Sequence, residues 1–238
     1  SQYPQQLIIE HVRRTAPLSW HESIPETLEV IDTDCNLPIK ATRLKIAVIC
    51  HIHIPEHAHS VVEIVSRIPC KFDLLITTTS QASKTVIEEI IGKATLAANA
   101  IHIRIVPNRG RDILPWLSAW RDRHFHYDVL LKLHVKTSSQ NQAYFVDRWQ
   151  DWIIKSLIGS PAHVRHILKH FEEEEKLGIL FPAFPDVFVL GDGMPYRGNA
   201  ETERHMQALF ARLSLKHWGD DYVFPAGSMF WYRPQALH

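Results

Sequence analysis

Four short apolar runs, separated by segments with helical spacing, most constrain what this chain can fold into. We predict strands at residues 46–50, 72–77, 101–106 and 128–133. Continuous runs rich in β-branched residues are typical of strands buried on both faces of a parallel sheet. Apolar residues recur at helical spacing in the segments between them, which are residues 58–68, 86–91 and 113–121. This alternation predicts a doubly wound, mostly parallel α/β sheet.

The second half of the chain is less regular. We predict helices at 144–158, 161–176 and 201–213, short strands at 178–181 and 229–232, and a loop rich in proline and glycine at 184–198. A parallel sheet followed by an irregular half suits an enzyme with two substrates. We expect the loop, around Gly191 and Gly193, to close over a ligand.

The domain prediction places the boundary near residue 44. Residues 1–43 carry scattered prolines and little periodicity, which indicates an N-terminal extension or linker. Residues 44–238 then form the α/β domain, and we expect that domain to continue beyond residue 238.

Composition excludes some partners. Lysine plus arginine and aspartate plus glutamate both number 26, so bulk charge favours neither nucleic acid nor an anionic surface. The three cysteines show no C-x-x-C spacing, so neither a disulfide framework nor a zinc site is indicated. No apolar run reaches the roughly 18 residues that cross a bilayer. We expect a reducing compartment, the cytoplasm.

The strongest local signal is a segment that follows the third strand and begins a helix. It consists of Asn108, Arg109, Gly110, Arg111 and Asp112. Glycine permits a tight turn, and two guanidinium groups beside it suit phosphate oxygens. We expect Asp112 to cap the helix and to orient Arg109 or Arg111. The alternative is an ordinary loop in which Asp112 only caps the helix and the arginines are solvated.

A second signal lies at the end of the fourth strand. Lys132, His134 and Lys136 alternate along the chain, so their side chains share one face of an extended segment. Cations at the end of a buried strand are costly unless an anion or a carboxylate meets them. The alternative is an edge strand with a solvated basic face.

Polar residues also follow the first two strands. His51 and His53 share a face at the end of the first strand, and Thr78 lies in the turn after the second. We expect them to contact a nucleotide or sugar, because ligands of such sheets lie outside the carboxyl ends of the strands. A histidine pair also fits a metal, but a third ligand is needed. The remaining alternative is a structural or surface role.

The last segment with possible chemistry is 224–233. The small residues Gly227 and Ser228 would let a sugar approach the backbone, and Trp231 would stack on it. The alternative is a buried strand with aromatic packing. Just upstream, Asp220 or Asp221 would serve as general base, or lie in a solvated turn.

Together these motifs resemble the rhamnan synthesis protein F family. The resemblance rests on residues 46–53, 107–113, 131–138 and 224–231, in that order. It implies a GT-A-type glycosyltransferase fold and a nucleotide-activated donor such as dTDP-rhamnose. It also implies a lipid-linked glycan acceptor for cell-surface polysaccharide or O-antigen. Peripheral association with the inner face of the membrane would come through parts outside this chain.

One difference from GT-A enzymes concerns the metal. Where that fold usually carries Asp-x-Asp for a divalent ion, this chain has Lys132-Leu133-His134. We therefore expect no metal cofactor, with Arg109, Arg111, Lys132 and Lys136 neutralising the diphosphate instead. His134, Asp220 or Asp221 would take the acceptor proton. The alternatives are a non-catalytic glycan- or nucleotide-binding module, and a phosphatase or phosphotransferase, for which no nucleophile is evident.

Overall fold

A computed structural model describes residues 42–135, 143–182, 200–214, 225 and 227–237 of the chain. Lys136, Asp220, Asp221 and most of the N-terminal extension, 1–41, lie outside the described residues, as does the predicted loop at 184–198. The chain divides into two compact units, Thr33–Pro195 with Phe224–His238 and Ser1–Asp32 with Tyr196–Val223. The sheet belongs to the first unit.

Strands and helices alternate as the apolar pattern predicts. The strands are β1 (Ile46–His51), β2 (Phe72–Thr78), β3 (Ala98–Ile105), β4 (Val129–His134), β5 (Ile179–Leu180) and β6 (Phe230–Tyr232). The α-helices are α1 (Ala58–Val65), α2 (Gln81–Gly92), α3 (Ile113–Ala119), α4 (Ala143–Ile158), α5 (Pro161–Glu173) and, in the second unit, α6 (Ala200–Arg212).

Short polar side chains fix where two of these helices begin. The hydroxyl of Ser80 accepts a hydrogen bond from the backbone N–H of Ser83 at 3.0 Å, and Ser160 accepts one from that of His163 at 3.1 Å. Pro161 occupies the first position of α5, where its missing N–H costs nothing. The start of α5 was predicted at residue 161, whereas α2 begins at Gln81, before the helical spacing that was recognised from residue 86.

The six strands form one mixed sheet in the order β3-β2-β1-β4-β6-β5. The first four of these are parallel, and β6 pairs antiparallel with both β4 and β5. His51 lies opposite Thr77 on one side and His134 on the other, so the carboxyl ends of β1, β2 and β4 meet in register. The α/β class and the mostly parallel sheet are therefore confirmed.

Helices cover both faces of this sheet, but unequally. We call the thick face the one on which Val48, Leu74 and Leu131 pack against α1, α2, α4 and α5. We call the thin face the one on which Ile49, Leu130 and Tyr232 pack against the short α3. Lys132 and His134 alternate with Leu131 and Leu133 along β4, so both project to the thin face.

The predicted bounds differ from the observed ones at several ends. α1 ends at Val65 rather than at residue 68. Residues 66–68 form a tighter turn before Pro69, in which the Ile68 N–H donates to the Val65 carbonyl. β3 begins at Ala98, earlier than predicted. Ala98 and Ala100 pair with Phe72 and Asp73 of β2, and the register shifts between these two pairs. β5 contains only two residues. Within the described part of the chain, none of the helices is long and apolar enough to cross a membrane.

Candidate functional site

The loop between β3 and α3 has a backbone that glycine makes accessible. Gly110 and Arg111 both have positive φ, at 69° and 51°. A side chain at Gly110 would collide with the Cβ atom of Leu114, so glycine is required there for space as well as for conformation. The Gly110 carbonyl accepts hydrogen bonds from the backbone N–H groups of Ile113 and Leu114, both at 3.1 Å. The loop is therefore a defined turn that leads into α3.

A buried lysine holds this loop against the sheet. The Lys132 side chain is 1% exposed, and its Nζ donates a hydrogen bond to Asp112 Oδ2 at 2.7 Å. The same ammonium donates to the backbone carbonyl of Ser228 at 2.6 Å. The sequence pattern predicted that an anion or a carboxylate must meet this charge, and the carboxylate is Asp112. Breaking one partner of such a buried pair is costly, because it strands the other charge.

His134 lies beside the same carboxylate oxygen as Lys132. Its Nδ1 atom is 3.3 Å from Asp112 Oδ2, and its side chain is 4% exposed. Burial by itself would raise the pKa of Asp112, but the charge of His134 and the hydrogen bond and charge of Lys132 outweigh it and lower that pKa. Asp112 is therefore ionised at neutral pH, with Lys132 and His134 both beside its carboxylate.

A second turn completes the arrangement. Gly227 and Ser228 have positive φ, at 83° and 55°, and the Ser228 N–H donates to the Pro225 carbonyl at 2.9 Å. Left-handed backbone at non-glycine residues such as Ser228 and Arg111 is uncommon and concentrates at functional sites. Lys132 thus ties together two left-handed turns from distant parts of the sequence.

Two further contacts fix α3 on the thin face. The Trp116 indole N–H donates to the Tyr232 hydroxyl at 2.9 Å. The guanidinium of Arg104 on β3 donates to the Ala119 carbonyl at the end of α3 and to both oxygens of Asp122, at 2.7 and 2.8 Å. The helix is thereby held at its beginning, middle and end.

The ends of β1 and β2 contribute one pair of hydrogen-bonded side chains. His51 Nδ1 and Thr77 Oγ1 are hydrogen-bonded at 2.9 Å. Burial, followed by the charge of His53, lowers the pKa of His51, so its imidazole is neutral at pH 7. Thr78 is fully buried, and its hydroxyl has no hydrogen-bond partner among the described residues.

The other residues that we predicted to bind the sugar donor are exposed. Asn108, Arg109, Arg111 and His53 all lie at the surface near the carboxyl edge of the sheet. Within the ranges that the structure describes, neither Arg109 nor Arg111 forms an ion pair. Their guanidinium groups are thus available to an anion, whereas the charge of Lys132 is already used inside the protein.

Two predictions about individual side chains are wrong. Asp112 makes no capping hydrogen bond to α3, because its carboxylate is turned towards Lys132. Trp231 does not face a ligand. It is fully buried on the thick face, where its indole donates to the Leu157 carbonyl at 3.0 Å, so the alternative of a buried aromatic strand describes it.

Three predicted residues, Lys136, Asp220 and Asp221, lie outside the described residues, so their placement stays a prediction. The described ranges contain no group of three or more His, Cys, Asp and Glu side chains that could hold a metal. The residues that sequence reasoning missed are Trp116 and Arg104. The arginine at the third-strand end was visible in sequence, but nothing there pointed to Ala119.

The arrangement can bind an anion and hold a histidine beside a carboxylate. The two surface arginines carry charge, while Asp112 and Lys132 position the loop that bears them. A carboxylate at a histidine ring orients the imidazole and stabilises its protonated form, as a general base requires.

A family model described as Rhamnan synthesis protein F matches residues 1–238, the whole chain. Among curated proteins and among solved structures, no match to this chain is significant.

Proposed function

The chain belongs to the rhamnan synthesis protein F family, and from that premise we propose that it is a glycosyltransferase. Membership of the family indicates a role in rhamnan synthesis. The proposed reaction moves a sugar, rhamnose, from a nucleoside diphosphate to a hydroxyl of a growing cell-surface polysaccharide. The donor would be dTDP-rhamnose or a close relative, and the acceptor a lipid-linked glycan.

The proposal includes a fold of GT-A type with a doubly wound sheet. It is supported by the parallel order of β3, β2, β1 and β4 and by helices on both faces. In such sheets a ligand lies outside the carboxyl ends of the strands. That edge is where β1, β2 and β4 end in register and where the loop 108–112 lies.

The observation that carries the proposal is the contact of Lys132 with Asp112 and Ser228. It fixes the loop 108–112 while leaving Arg109 and Arg111 exposed and unpaired within the described ranges. Arginine binds phosphate oxygens in a bidentate manner, and a preformed loop loses little entropy on binding. We propose that these two arginines hold the donor diphosphate, with Asn108 and Gly110 beside it. Lys132 acts by positioning the loop.

The base would be His134, oriented by Asp112 at 3.3 Å. In the reaction the acceptor hydroxyl gives its proton to the imidazole as its oxygen attacks the anomeric carbon. The bond from that carbon to the diphosphate oxygen breaks, and the nucleoside diphosphate leaves with the electron pair. Positive charge on the arginines stabilises the departing oxygens without a metal.

The other edge residues would complete the donor and acceptor sites. His51, His53 and Thr78 are proposed to contact the nucleotide, since they lie at the ends of β1 and β2. Gly227 and Ser228 are proposed to let the acceptor approach closely. Lys136 stays a proposed diphosphate ligand, and Asp220 and Asp221 stay alternative bases.

The test is a transfer assay with dTDP-rhamnose and a rhamnose-terminated lipid acceptor, in parallel with calorimetry of donor binding. His134→Gln is expected to lower kcat on the order of 100-fold, the usual contribution of a general base, and to leave donor binding nearly unchanged. The matched control is His59→Gln, an exposed histidine on α1.

The two alternatives make different predictions in the same assay. Donor binding without transfer or hydrolysis would overturn the enzyme proposal and support a non-catalytic binding module. Full turnover in the His134→Gln protein would leave Asp220 or Asp221 as the base. Unchanged binding in an Arg109→Ala/Arg111→Ala protein would place the diphosphate elsewhere.

A further inference from the structure

The outward face of α3 is apolar, although its inward face is already packed. Pro115 and Trp120 are buried and Trp116 donates to Tyr232, so one side of the helix is fully used. On the other side Ile113, Leu114 and Leu117 are 39, 47 and 48% exposed. A surface helix normally has polar residues on the face opposite the core, so this second apolar face indicates an interaction surface.

We name these three side chains, Ile113, Leu114 and Leu117, the α3 patch. They lie at positions i, i+1 and i+4, which one side of a helix brings together. Because α3 is held at its beginning, middle and end, the patch is presented in a fixed orientation. Loose docking of α3 therefore does not explain the exposure of these residues.

The charges around the α3 patch are positive. Arg109 and Arg111 precede it, Arg121 follows it, and all three side chains are exposed. The nearby carboxylates are committed elsewhere, Asp112 to Lys132 and Asp122 to Arg104. Within the described residues none of the three arginines has an ion-pair partner. The patch is thus an aliphatic cluster bordered by unneutralised arginines.

We propose that the α3 patch docks this protein on an anionic lipid surface. Aliphatic side chains enter the boundary between headgroups and acyl chains, while Arg121 beside them contacts lipid phosphates. The charges of Arg109 and Arg111 add to the attraction of the anionic surface without contacting it. Neither an apolar patch nor a basic patch alone specifies this partner, but apolar residues on α3 with arginines directly before and after the helix do. The inference goes beyond the proposed function and does not depend on it.

The experiment is vesicle flotation of the full chain, with vesicles of phosphatidylcholine alone or mixed in equal parts with phosphatidylglycerol. We expect flotation with the mixed vesicles only, and weaker flotation as salt is raised. Ile113→Gln/Leu117→Gln should reduce the bound fraction about tenfold, because two aliphatic side chains no longer enter the membrane. Glutamine keeps the helix propensity of α3 high.

The matched control is Leu209→Gln/Leu213→Gln, which removes two leucines that are 48 and 57% exposed in and just after α6. It should float like the unmodified protein. A second variant, Arg121→Gln, removes charge without touching the apolar face and should weaken binding only to the anionic vesicles. Circular dichroism confirms that each protein is folded.

Three results would overturn the proposal. They are absence of flotation with anionic vesicles, equal flotation of the Ile113→Gln/Leu117→Gln protein, and equal binding to phosphatidylcholine alone. Dimerisation that this double variant abolishes, without vesicle binding, would assign the patch to a second copy of the chain. Calorimetry with nucleoside diphosphate in the absence of vesicles separates this proposal from the proposed function, since neither tested variant removes a proposed donor ligand.

Discussion

The two faces of the sheet differ in what they bury. On the thick face β4 presents Leu131 and Leu133 to a hydrophobic cluster shared with α1, α2, α4 and α5. On the thin face the same strand presents Lys132 and His134 to a carboxylate under one short helix. Alternation along a single strand thus separates a stabilising core from a polar cluster. The comparison teaches that the thick face can be destabilised without altering the chemistry of the thin face, whereas on the thin face the polar cluster serves both.

The largest effect is expected on the thick face. Leu131→Ala should lower the free energy of unfolding by about 4 kcal/mol, since it removes a fully buried side chain and leaves a cavity. Urea denaturation measures this change. Affinity for nucleoside diphosphate should be unchanged in the folded protein. A large loss of affinity would mean that the two faces are not separable.

Asp112→Ala should be nearly as destabilising on the thin face. It strands the buried Lys132 ammonium, which costs about 3 kcal/mol by the same measurement. Asp122→Ala removes an exposed carboxylate from Arg104 and should have a far smaller effect.

A double variant shows whether the cost comes from the stranded charge. Asp112→Ala/Lys132→Met should recover much of the stability lost in Asp112→Ala, because no unpaired buried charge remains. A double variant as unstable as Asp112→Ala alone would show instead that loop packing causes the loss.

Trp116→Phe should have a smaller effect. It removes the indole hydrogen bond to the buried Tyr232 hydroxyl, which is expected to cost about 1–2 kcal/mol. Trp152→Phe on α4 is the control for the lost ring volume. If the two tryptophan variants are equally destabilising when Tyr232→Phe is also present, the hydrogen bond accounts for the difference between them.

The smallest expected effect is a loss of stability at acidic pH, which we attribute to His51 on the thin face. The folded pKa of His51 lies below its ordinary value of 6.5, chiefly through burial. The unfolded chain therefore binds a proton first, so stability is full above pH 6.5 and declines as pH falls through the folded pKa. A series of melting temperatures measures the decline, and His51→Gln should reduce it, leaving the part due to His124, whose pKa burial also lowers. A protein that grows more stable from pH 7 to pH 5 would contradict this sign.

The lowered pKa of Asp112 acts at more acidic pH. Its carboxylate contributes stability above its ordinary pKa of 3.8, and this contribution disappears as pH falls through the lower folded value. The loss of stability due to Asp112 therefore begins at a lower pH than the loss due to His51, which a pH series can distinguish.

Much of the fold was predictable because local patterns determine it. The apolar runs of β1, β2 and β4 are long enough to identify as strands, and the start of α5 was predicted at residue 161. β5 was predicted too long, since its two residues pair only with Trp231 and Tyr232 of β6. Such short pairings depend on tertiary neighbours and leave little trace in the sequence.

The candidate site was predictable in part. The alternation of Lys132 and His134 indicated that a carboxylate or anion must meet them, but not that Asp112 does so. That pairing depends on α3 folding back over the thin face. Trp231 was assigned wrongly because an aromatic run places rings on both faces, and sequence alone does not say which ring is outside.

The central claim is that the loop 108–112, held by Lys132, binds a nucleoside diphosphate through arginines without a metal. Calorimetric titration of dTDP in the presence of EDTA tests it most directly. The account predicts binding that EDTA does not weaken and that Arg109→Ala/Arg111→Ala reduces at least about tenfold, with Arg67→Ala/Arg212→Ala as the matched control. Binding that requires a divalent cation, or that both double variants retain equally, would contradict it.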